Sequence, residues 1–200
     1  MRQIQTGRHV VAEIPGNRGW ARMRWLLGLL ALVLLAGCGS TSTSGTPSTA
    51  AAPSIGGDPL DMTRQAAAPC GLLTADELAQ YHLSSPGQVT GDACAWTPTT
   101  ALLPGYSASV DLNSGGLAGL YRKRSGMAVF QPTRVGEYPG VNTGSQVAGH
   151  CTVEVGVAND TLVVVNTVVP RADQNDYPDP CYQLDEFALV IVGNGQGRVA

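Results

Sequence analysis

Alternating apolar and polar residues give the strongest strand signals, which lie in the last third of the chain. In Cys151 to Val157 three valines alternate with polar residues and glycine, and after the pair Asn159-Asp160 the segment Leu162 to Val169 is rich in β-branched residues. Alternate residues of a strand point to opposite faces, and β-branched side chains favour strands. The two segments are therefore predicted to form a β-hairpin around the Asn-Asp turn.

Four further segments carry strand patterns. Tyr106 to Leu112 alternates serine and aspartate with apolar residues, which predicts a strand with one polar face. Asp92 to Pro98 is also predicted as a strand. Gln131 to Glu137 and Val141 to Ala148 are predicted as strands on either side of a turn at Tyr138-Pro139-Gly140. These patterns together indicate an antiparallel sheet.

The first helix signal is a capping box. Thr74 and Glu77 have the Thr-x-x-Glu spacing in which each side chain satisfies a free backbone amide of the first helical turn. The motif predicts a helix from Ala75 to about Leu83. Tyr81 and His82 fall on its apolar side.

Two more helices are predicted from apolar stripes. One follows Asn113-Ser114-Gly115-Gly116 and places Leu117, Leu120 and Tyr121 on one face. The last begins with Asp179 as N-cap and Pro180 at the first position, and it is expected to end at Gly193. A short strand over Phe187 to Val192 is the alternative for that segment. The predicted fold class is α+β, an antiparallel β-sheet flanked by helices.

An apolar run of 11 residues, Trp25 to Leu35, leads into Leu35-Ala36-Gly37-Cys38. The run is too short to cross a bilayer core of ~30 Å, and Arg18, Arg22 and Arg24 precede it, so residues 1–37 are predicted to be a signal peptide. The tetrapeptide resembles a bacterial lipobox. That resemblance implies cleavage before Cys38 and attachment of a diacylglyceryl group to its thiol. A buried core helix followed by a core cysteine is the alternative.

The run Met23-Arg24-Trp25 would by itself open a short signal peptide, so Met23 is a candidate start. Residues 38–68 comprise the lipidated cysteine and a Ser/Thr/Gly/Pro/Ala-rich segment, predicted to be a disordered linker because it has few large apolar residues. We predict a single globular domain over residues 69–193 and a tail over 194–200.

Charge excludes one class of partner. The whole chain has a formal net charge of −3, but after residue 37 it contains seven basic and 14 acidic residues, which gives −7. Nucleic-acid binding needs a basic face, so no nucleic-acid partner is expected. The same charge argues against adsorption on an anionic bilayer, so the lipid on Cys38 is expected to provide membrane attachment at the extracytoplasmic face of the cell membrane.

Four cysteines remain once Cys38 is assigned to the lipid, namely Cys70, Cys94, Cys151 and Cys181. An even number in an exported chain indicates two disulfides. We predict the pairs Cys70–Cys94 and Cys151–Cys181, because each joins neighbouring predicted elements. Buried free thiols are the alternative.

The order of these motifs resembles a known group. The chain contains, in order, Pro69-Cys70-Gly71-Leu72-Leu73, Cys94-Ala95-Trp96, the Gly-x-Tyr-Pro-Gly segment at 136–140, Cys151 with its valines, and Cys181 at the head of a helix. This order is similar to that of actinobacterial secreted lipoproteins that carry a four-cysteine domain of unknown function. The resemblance covers residues 69–192. It implies an antiparallel sheet flanked by helices, related to PsbP-like or Mog1-like domains, and no catalytic residue.

The sequence contains no strong catalytic motif. Ser107 lies in Gly-Tyr-Ser-Ala-Ser, which lacks the closing glycine of a nucleophile elbow, and His82 and His150 are the two histidines after the leader. Asp185 and Glu186 are adjacent, so on a helix they diverge by about 100° and are expected to face solvent. We expect no catalytic residue and no cofactor.

Oxygen ligands crowd one loop. Asp173, Asn175, Asp176 and Asp179 could attract calcium, but they lack the spacing of an EF-hand, so a solvated acidic loop is the stronger interpretation and no metal is expected. Gly115-Gly116 could hold an anion at a helix start, but the segment departs from the dinucleotide-binding pattern.

The expected function is a membrane-anchored, non-catalytic binding or accessory domain of the cell envelope. A lipid, a glycan or an envelope protein is the expected partner, and the predicted surface lies between the sheet and the Gly116 to Gly126 helix: Leu117, Leu120, Tyr121 and Arg124. A structural or signalling-partner domain without a small ligand is the alternative, followed by an envelope enzyme without a recognisable motif.

Overall fold

A seven-stranded antiparallel sheet forms the centre of the part of the chain that the structure describes. The computed structural model describes residues 51–144, 149–170, 177 and 179–197. The strands are β1 (Gln88–Thr90), β2 (Ala93–Trp96), β3 (Gly105–Asp111), β4 (Gln131–Val135), β5 (Tyr138–Asn142), β6 (His150–Gly156) and β7 (Leu162–Val168). Their spatial order is β1-β2-β3-β7-β6-β5-β4, and neighbouring strands are antiparallel throughout.

Helices lie on both faces of the sheet. They are α1 (Thr63–Ala67), α2 (Ala75–Gln80), α3 (Gly116–Lys123) and α4 (Pro180–Gly195), with 3₁₀ turns at Pro69–Leu72 and Arg124–Gly126. The predicted α+β class, an antiparallel sheet flanked by helices, is confirmed. In the described part of the chain, no helix combines the length and the apolarity needed to cross a membrane.

Strand register separates two cores. Val165 of β7 lies opposite Ala108 of β3 and Val153 of β6, and all three are fully buried beneath α4. This larger core also takes the apolar sides of α1 and α2. On the opposite face α3 covers a smaller core, formed by Leu117, Leu120, Tyr121, Val141 and Leu162.

The β6–β7 hairpin is present as predicted, and so are the strands at β2 and β3. In β6, Cys151, Val153 and Val155 are buried in the larger core, while Thr152 and Glu154 are only partly buried on the opposite face. The alternation of apolar and polar residues in β6 therefore corresponds to the two faces of the sheet.

The predicted turn at Tyr138-Pro139-Gly140 is wrong, because these residues begin β5. The turn lies one step earlier at Gly136-Glu137, since Val135 pairs with Tyr138, and Gly136 has a φ of 59°. A two-residue hairpin favours glycine at such a position. Pro139 is tolerated because pairing of β5 with β6 starts at Gly140, so its missing amide interrupts no bond on that side.

The first helix ends earlier than predicted. The capping box of Thr74 and Glu77 is confirmed, but α2 stops at Gln80 and His82 adopts a left-handed conformation with φ 55°. The amide of His82 donates to the Ala79 carbonyl oxygen at 3.1 Å, and that of Leu83 donates to the Leu78 carbonyl oxygen at 2.8 Å. This is the bonding pattern of a Schellman helix end, in which glycine usually holds the left-handed position.

The last helix has the predicted start but continues through Gly193. Asp179 caps it by accepting bonds from the amides of Cys181 and Tyr182 at 3.0 and 3.3 Å. Beyond Gly193, the Asn194 side-chain amide donates to the Leu72 carbonyl oxygen, and a Cβ on Gly195 would meet the Met62 Sδ atom. Tertiary packing thus outweighs the weak helix propensity of glycine.

Ordered structure begins before residue 69, so the predicted linker is too long. Residues 51–62 form a segment that we call the strap, and within it Leu60 and Met62 are buried. Ala52 packs on the smaller core, and the Leu60 amide donates to the Val157 carbonyl oxygen at 2.9 Å. The strap therefore connects the two faces of the sheet.

Two glycines let the strap pass close to the β4–β5 turn. A Cβ on Gly56 would lie 2.5 Å from the Glu137 carbonyl oxygen, and one on Gly57 would lie 2.9 Å from the Tyr138 ring. The Tyr138 hydroxyl donates to the Asp58 carbonyl oxygen at 2.7 Å, which fixes the strap against β5.

Both predicted disulfides are present. Cys70 pairs with Cys94, and Cys151 pairs with Cys181. The first links the 3₁₀ turn before α2 to β2, and the second links β6 to the first turn of α4. The two disulfides therefore attach the segments that begin α2 and α4 to the sheet.

Candidate functional site: a tyrosine-lined pocket

A pocket of about 260 Å³ opens where α2, β3 and α4 meet. We call it the tyrosine pocket, and its polar and aromatic lining is formed by Tyr81, His82, Tyr106, Tyr177, Gln183 and Glu186. Leu103 and Pro104 form an apolar wall. The volume is below the roughly 300–1,000 Å³ that is typical of drug-sized ligands, so the pocket suits a small group.

The Schellman end of α2 positions one side of the pocket. Because the chain reverses at His82, the Thr99 amide can donate to the His82 carbonyl oxygen at 2.8 Å, and the Ser84 amide donates to the Thr97 carbonyl oxygen at 2.9 Å. These bonds bring residues 97–104 beside α2. His82 is exposed at the rim, beyond the end of α2, and does not lie on the apolar side of a helix as predicted.

Aromatic packing positions the floor. The Tyr106 ring stacks on Phe187 of α4 with centroids 4.2 Å apart and an angle of 16°, so Phe187 covers one face of Tyr106. Tyr81 lies edge-on to both rings, 4.9 Å from Phe187 and 6.3 Å from Tyr106. Such pairs add stability beyond the area they bury, and here they fix the orientation of the two tyrosine rings.

Burial and neighbouring oxygens change the acidity of these tyrosines. Burial chiefly raises the pKa of Tyr106 to about 12, with smaller contributions from Tyr81, Tyr177 and Glu186. Burial also raises the pKa of Tyr81, and the carboxylates of Glu186 and Glu77 add to that effect. Both phenols are therefore neutral hydrogen-bonding groups at physiological pH, in surroundings that disfavour further negative charge.

The lining offers contacts for binding. It combines aromatic rings, phenol hydroxyls, one carboxylate, amides and an imidazole. Among the described lining residues there is no serine, cysteine or lysine that could act as a nucleophile. The arrangement can orient a small ligand through ring contacts and hydrogen bonds.

A second pocket of about 260 Å³ lies at the β4–β5 turn and the end of α4. We call it the turn pocket; Val135, Glu137, Tyr138, Leu189 and Val192 line it. The Tyr138 hydroxyl is already engaged, since it donates to Asp58 and accepts from Gln196. With its aromatic hydroxyl occupied by the strap, this pocket offers fewer free polar groups than the tyrosine pocket.

The structure places the predicted binding residues in the smaller core. Leu117, Leu120 and Tyr121 are 4–8 % exposed and pack against Val141 and Leu162, so the protein itself occupies their apolar surface. Arg124 is partly buried in the 3₁₀ turn after α3. A ligand role for these four residues stays a prediction, and the tyrosine pocket is the more open site.

The glycines before α3 have a packing role. Gly115 and Gly116 have φ values of 78° and 58°, and a Cβ on Gly116 would meet the backbone of Asn159 in the β6–β7 turn. Close approach of two backbones therefore explains glycine at 116, and the left-handed φ explains glycine at 115.

Asp185 and Glu186 separate as expected for neighbours on a helix, but they do not both face solvent. Asp185 turns to the sheet, where its Oδ2 accepts from the Thr133 hydroxyl at 3.0 Å, and burial raises the pKa of this carboxyl. Glu186 lines the tyrosine pocket. The two carboxylates therefore do not converge on one point.

Other predicted positions contribute no further site. Ser107 lies on β3 on the face away from α4, and His150 is exposed at the start of β6. Of the oxygen-rich loop, Asp179 caps α4, whereas Asp173, Asn175 and Asp176 lie outside the described residues, as does Cys38. Among the residues that the structure describes, no three His, Cys, Asp or Glu side chains form a group that could hold a metal ion.

The family of the chain follows from comparison with known families. A family model described as a protein of unknown function (DUF3558) matches residues 33–194. The chain belongs to this family. The match runs from the end of the apolar run through all four disulfide cysteines and into α4, so the DUF3558 region includes the whole sheet and the tyrosine pocket.

Neither the curated proteins nor the solved structures give a match to this DUF3558 chain. The predicted relation to PsbP-like or Mog1-like domains therefore stays a prediction.

Sequence reasoning missed most of the pocket. The sequence pattern predicts Tyr106 on a strand and Glu186 facing solvent, and it gives no role to Tyr177. One available clue was the start of β3, where a tyrosine follows Pro104-Gly105 at the point where the strand leaves a loop. Residues at the ends of strands commonly form sites.

Proposed function

We propose that this DUF3558 protein is an exported lipoprotein, anchored through a diacylglyceryl group on Cys38 at the outer face of the cell membrane, and that it binds a ligand non-covalently in the tyrosine pocket. The observation that carries the binding role is the pocket itself: three tyrosines, a carboxylate and amides around a small cavity. Convergence of polar groups in a concave, partly apolar site is typical of ligand recognition.

The anchoring part rests on the sequence. The basic segment, the short apolar run and Leu-Ala-Gly-Cys have the order of a lipoprotein signal peptide. Two acyl chains on one cysteine are about what stable attachment requires, which matters because the acidic domain adds no attraction to anionic lipids. The single lysine among 12 basic residues is typical of GC-rich actinobacterial proteins, and we propose that source.

Anchoring would keep the pocket near the bilayer. Fourteen steps of chain separate Cys38 from Ala52, which is the first of the described residues to pack on a core. Even fully extended, they span at most about 50 Å. The ligand would then be a molecule of the membrane surface or the adjoining envelope.

Detergent partitioning tests the anchor. Wild type should enter the detergent phase, and Cys38→Ala should stay in the aqueous phase. If both proteins stay in the aqueous phase, the lipoprotein interpretation is wrong.

Ligand capture tests the site. Full-length protein purified from envelope extract should carry a ligand detectable by mass spectrometry, and Tyr81→Ala should reduce its amount. Tyr182→Ala is the matched control, because Tyr182 is 66 % exposed on α4. Arg124→Glu tests the surface beside α3: loss of ligand there, with full retention in Tyr81→Ala, would move the site to α3. Turnover of a hydrolase substrate by the purified protein would contradict the non-catalytic role.

A further inference from the structure

We propose that the tyrosine pocket takes an organic cation of the alkylammonium or guanidinium class, bounded by the rings of Tyr81, Tyr106 and Tyr177 and balanced by the Glu186 carboxylate. This inference rests on the proposed binding function and adds the chemical class of the ligand.

Ring geometry favours a cation. Tyr81 and Tyr106 both line the cavity, and their rings are inclined at 65° with centroids 6.3 Å apart. Phe187 covers one face of Tyr106, and Tyr177 lines the opening beside it. Aromatic faces carry negative potential, and several rings around one small cavity are the usual means of holding an ammonium group.

The charges around the cavity point the same way. Glu186 is the charged side chain at the lining, and none of the described lining residues is lysine or arginine. Glu77 also acts on Tyr81 from the side of α2. An anion would meet repulsion without a counter-charge, while a cation would gain one carboxylate and the ring faces.

Size selects among cations. A cavity of about 260 Å³ admits a head group or the tip of a side chain. Choline-type head groups and basic peptide side chains share this chemistry. The two sources differ in the rest of the molecule, which lies outside the cavity.

Titration of the full-length, detergent-solubilised protein with choline and with Nα-acetyl-arginine amide tests the proposal by calorimetry. At least one of the two should bind, and the better of them identifies the source. The neutral isostere of choline, 3,3-dimethylbutan-1-ol, should bind at least about tenfold more weakly.

Two variants locate the site. Glu186→Gln removes the charge from an exposed position with little change of shape, and it should weaken cation binding about fivefold to tenfold. Glu137→Gln makes the same change of charge at the turn pocket and should leave binding unchanged. Tyr81→Leu should weaken both cations.

The outcomes separate this inference from the proposed function. Binding of neither cation overturns the cationic class while the binding role stands. So does binding of choline with the same affinity as its neutral isostere, or binding of cellobiose in place of either cation. Equal weakening by Glu137→Gln and Glu186→Gln also overturns it. The ligand-capture experiment tests the proposed function separately. That function fails if the amount of captured envelope ligand is the same in wild type and in Tyr81→Ala.

Discussion

Asn194 near the end of α4 is hydrogen-bonded to Glu77 in the capping box of α2. Its Nδ2 atom donates to Glu77 Oε2 and to the Leu72 carbonyl oxygen, each at 2.9 Å. The same Glu77 oxygen accepts from the Thr74 amide at 2.7 Å and from the Thr74 hydroxyl at 2.9 Å. One carboxylate thus caps α2 and binds α4.

Replacing Asn194 with alanine should lower the free energy of unfolding by about 1–2 kcal/mol, because two partly buried bonds are lost and one acceptor is charged. Urea unfolding measures this. A double-mutant cycle with Glu77→Ala should show coupling of about 0.5 kcal/mol or more. Simple additivity of the two changes would show that the bond carries no stability.

His82→Gly should stabilise the protein by about 0.5–1 kcal/mol, although it removes a side chain. His82 has a φ of 55°, a conformation that costs energy with a Cβ and little for glycine. Thermal unfolding is the measurement, and His82→Ala is the matched control, because alanine keeps the Cβ. A gain of the same size in both variants would contradict the explanation.

Gly56→Ala should destabilise the protein by about 1–3 kcal/mol, because its Cβ would lie 2.5 Å from a backbone oxygen of Glu137. Gly71→Ala is the control, since no atom lies within 4 Å of the Cβ position there. Urea midpoints compare the two variants. We also expect faster proteolysis within residues 51–62 of Gly56→Ala, and equal cleavage rates would argue against displacement of the strap.

Stability should fall as pH rises from about 10 to 12, since the pKa of Tyr106 is raised from 10.0 to about 12 in the folded protein. Below pH 10 both the folded and the unfolded state keep the phenol protonated, so Tyr106 causes no change of stability with pH in that range. Between the two values the unfolded chain releases the proton and the folded chain retains it, which favours unfolding by at most about 2.7 kcal/mol, since one pKa unit corresponds to about 1.36 kcal/mol. Unfolding by urea at a series of pH values measures the slope.

Tyr106→Phe keeps the ring and removes the titrating group. Its slope between pH 10 and 12 should be smaller than that of wild type, with a remainder from Tyr81, whose pKa is also raised. An unchanged slope would remove Tyr106 as the cause.

The sequence predicted those elements whose signals are local. The β6–β7 hairpin followed from alternation, and the start of α2 followed from Thr74 and Glu77, because each pattern is contained within about ten residues. The disulfide pairs followed from the neighbouring elements.

Predictions failed where a distant contact decides the local conformation. Tyr138 begins a strand because its side chain is buried and its hydroxyl bonds to Asp58, 80 positions earlier. Residues 51–68 contain few large apolar side chains, yet Leu60 and Met62 are sufficient to fix the strap. His82 ends α2 without the glycine that usually marks such an end.

The tyrosine pocket could not be predicted for the same reason. Tyr81, Tyr106 and Glu186 belong to α2, β3 and α4, and only the sheet register and the packing of Phe187 bring them together. Composition and periodicity describe each element alone, so they contain no information on this meeting point.

The strap also sets the mechanical behaviour of the domain. Among the contacts of the described residues, a pulling force applied from the amino-terminal side would first reach Ala52 on the smaller core. It would then reach the bond between Tyr138 and Asp58 and the bond between Leu60 and Val157. These few contacts would yield in sequence, before the long β3–β7 and β6–β7 ladders bear any load. The strap would therefore detach and extend under tension, while the sheet and the tyrosine pocket keep their shape.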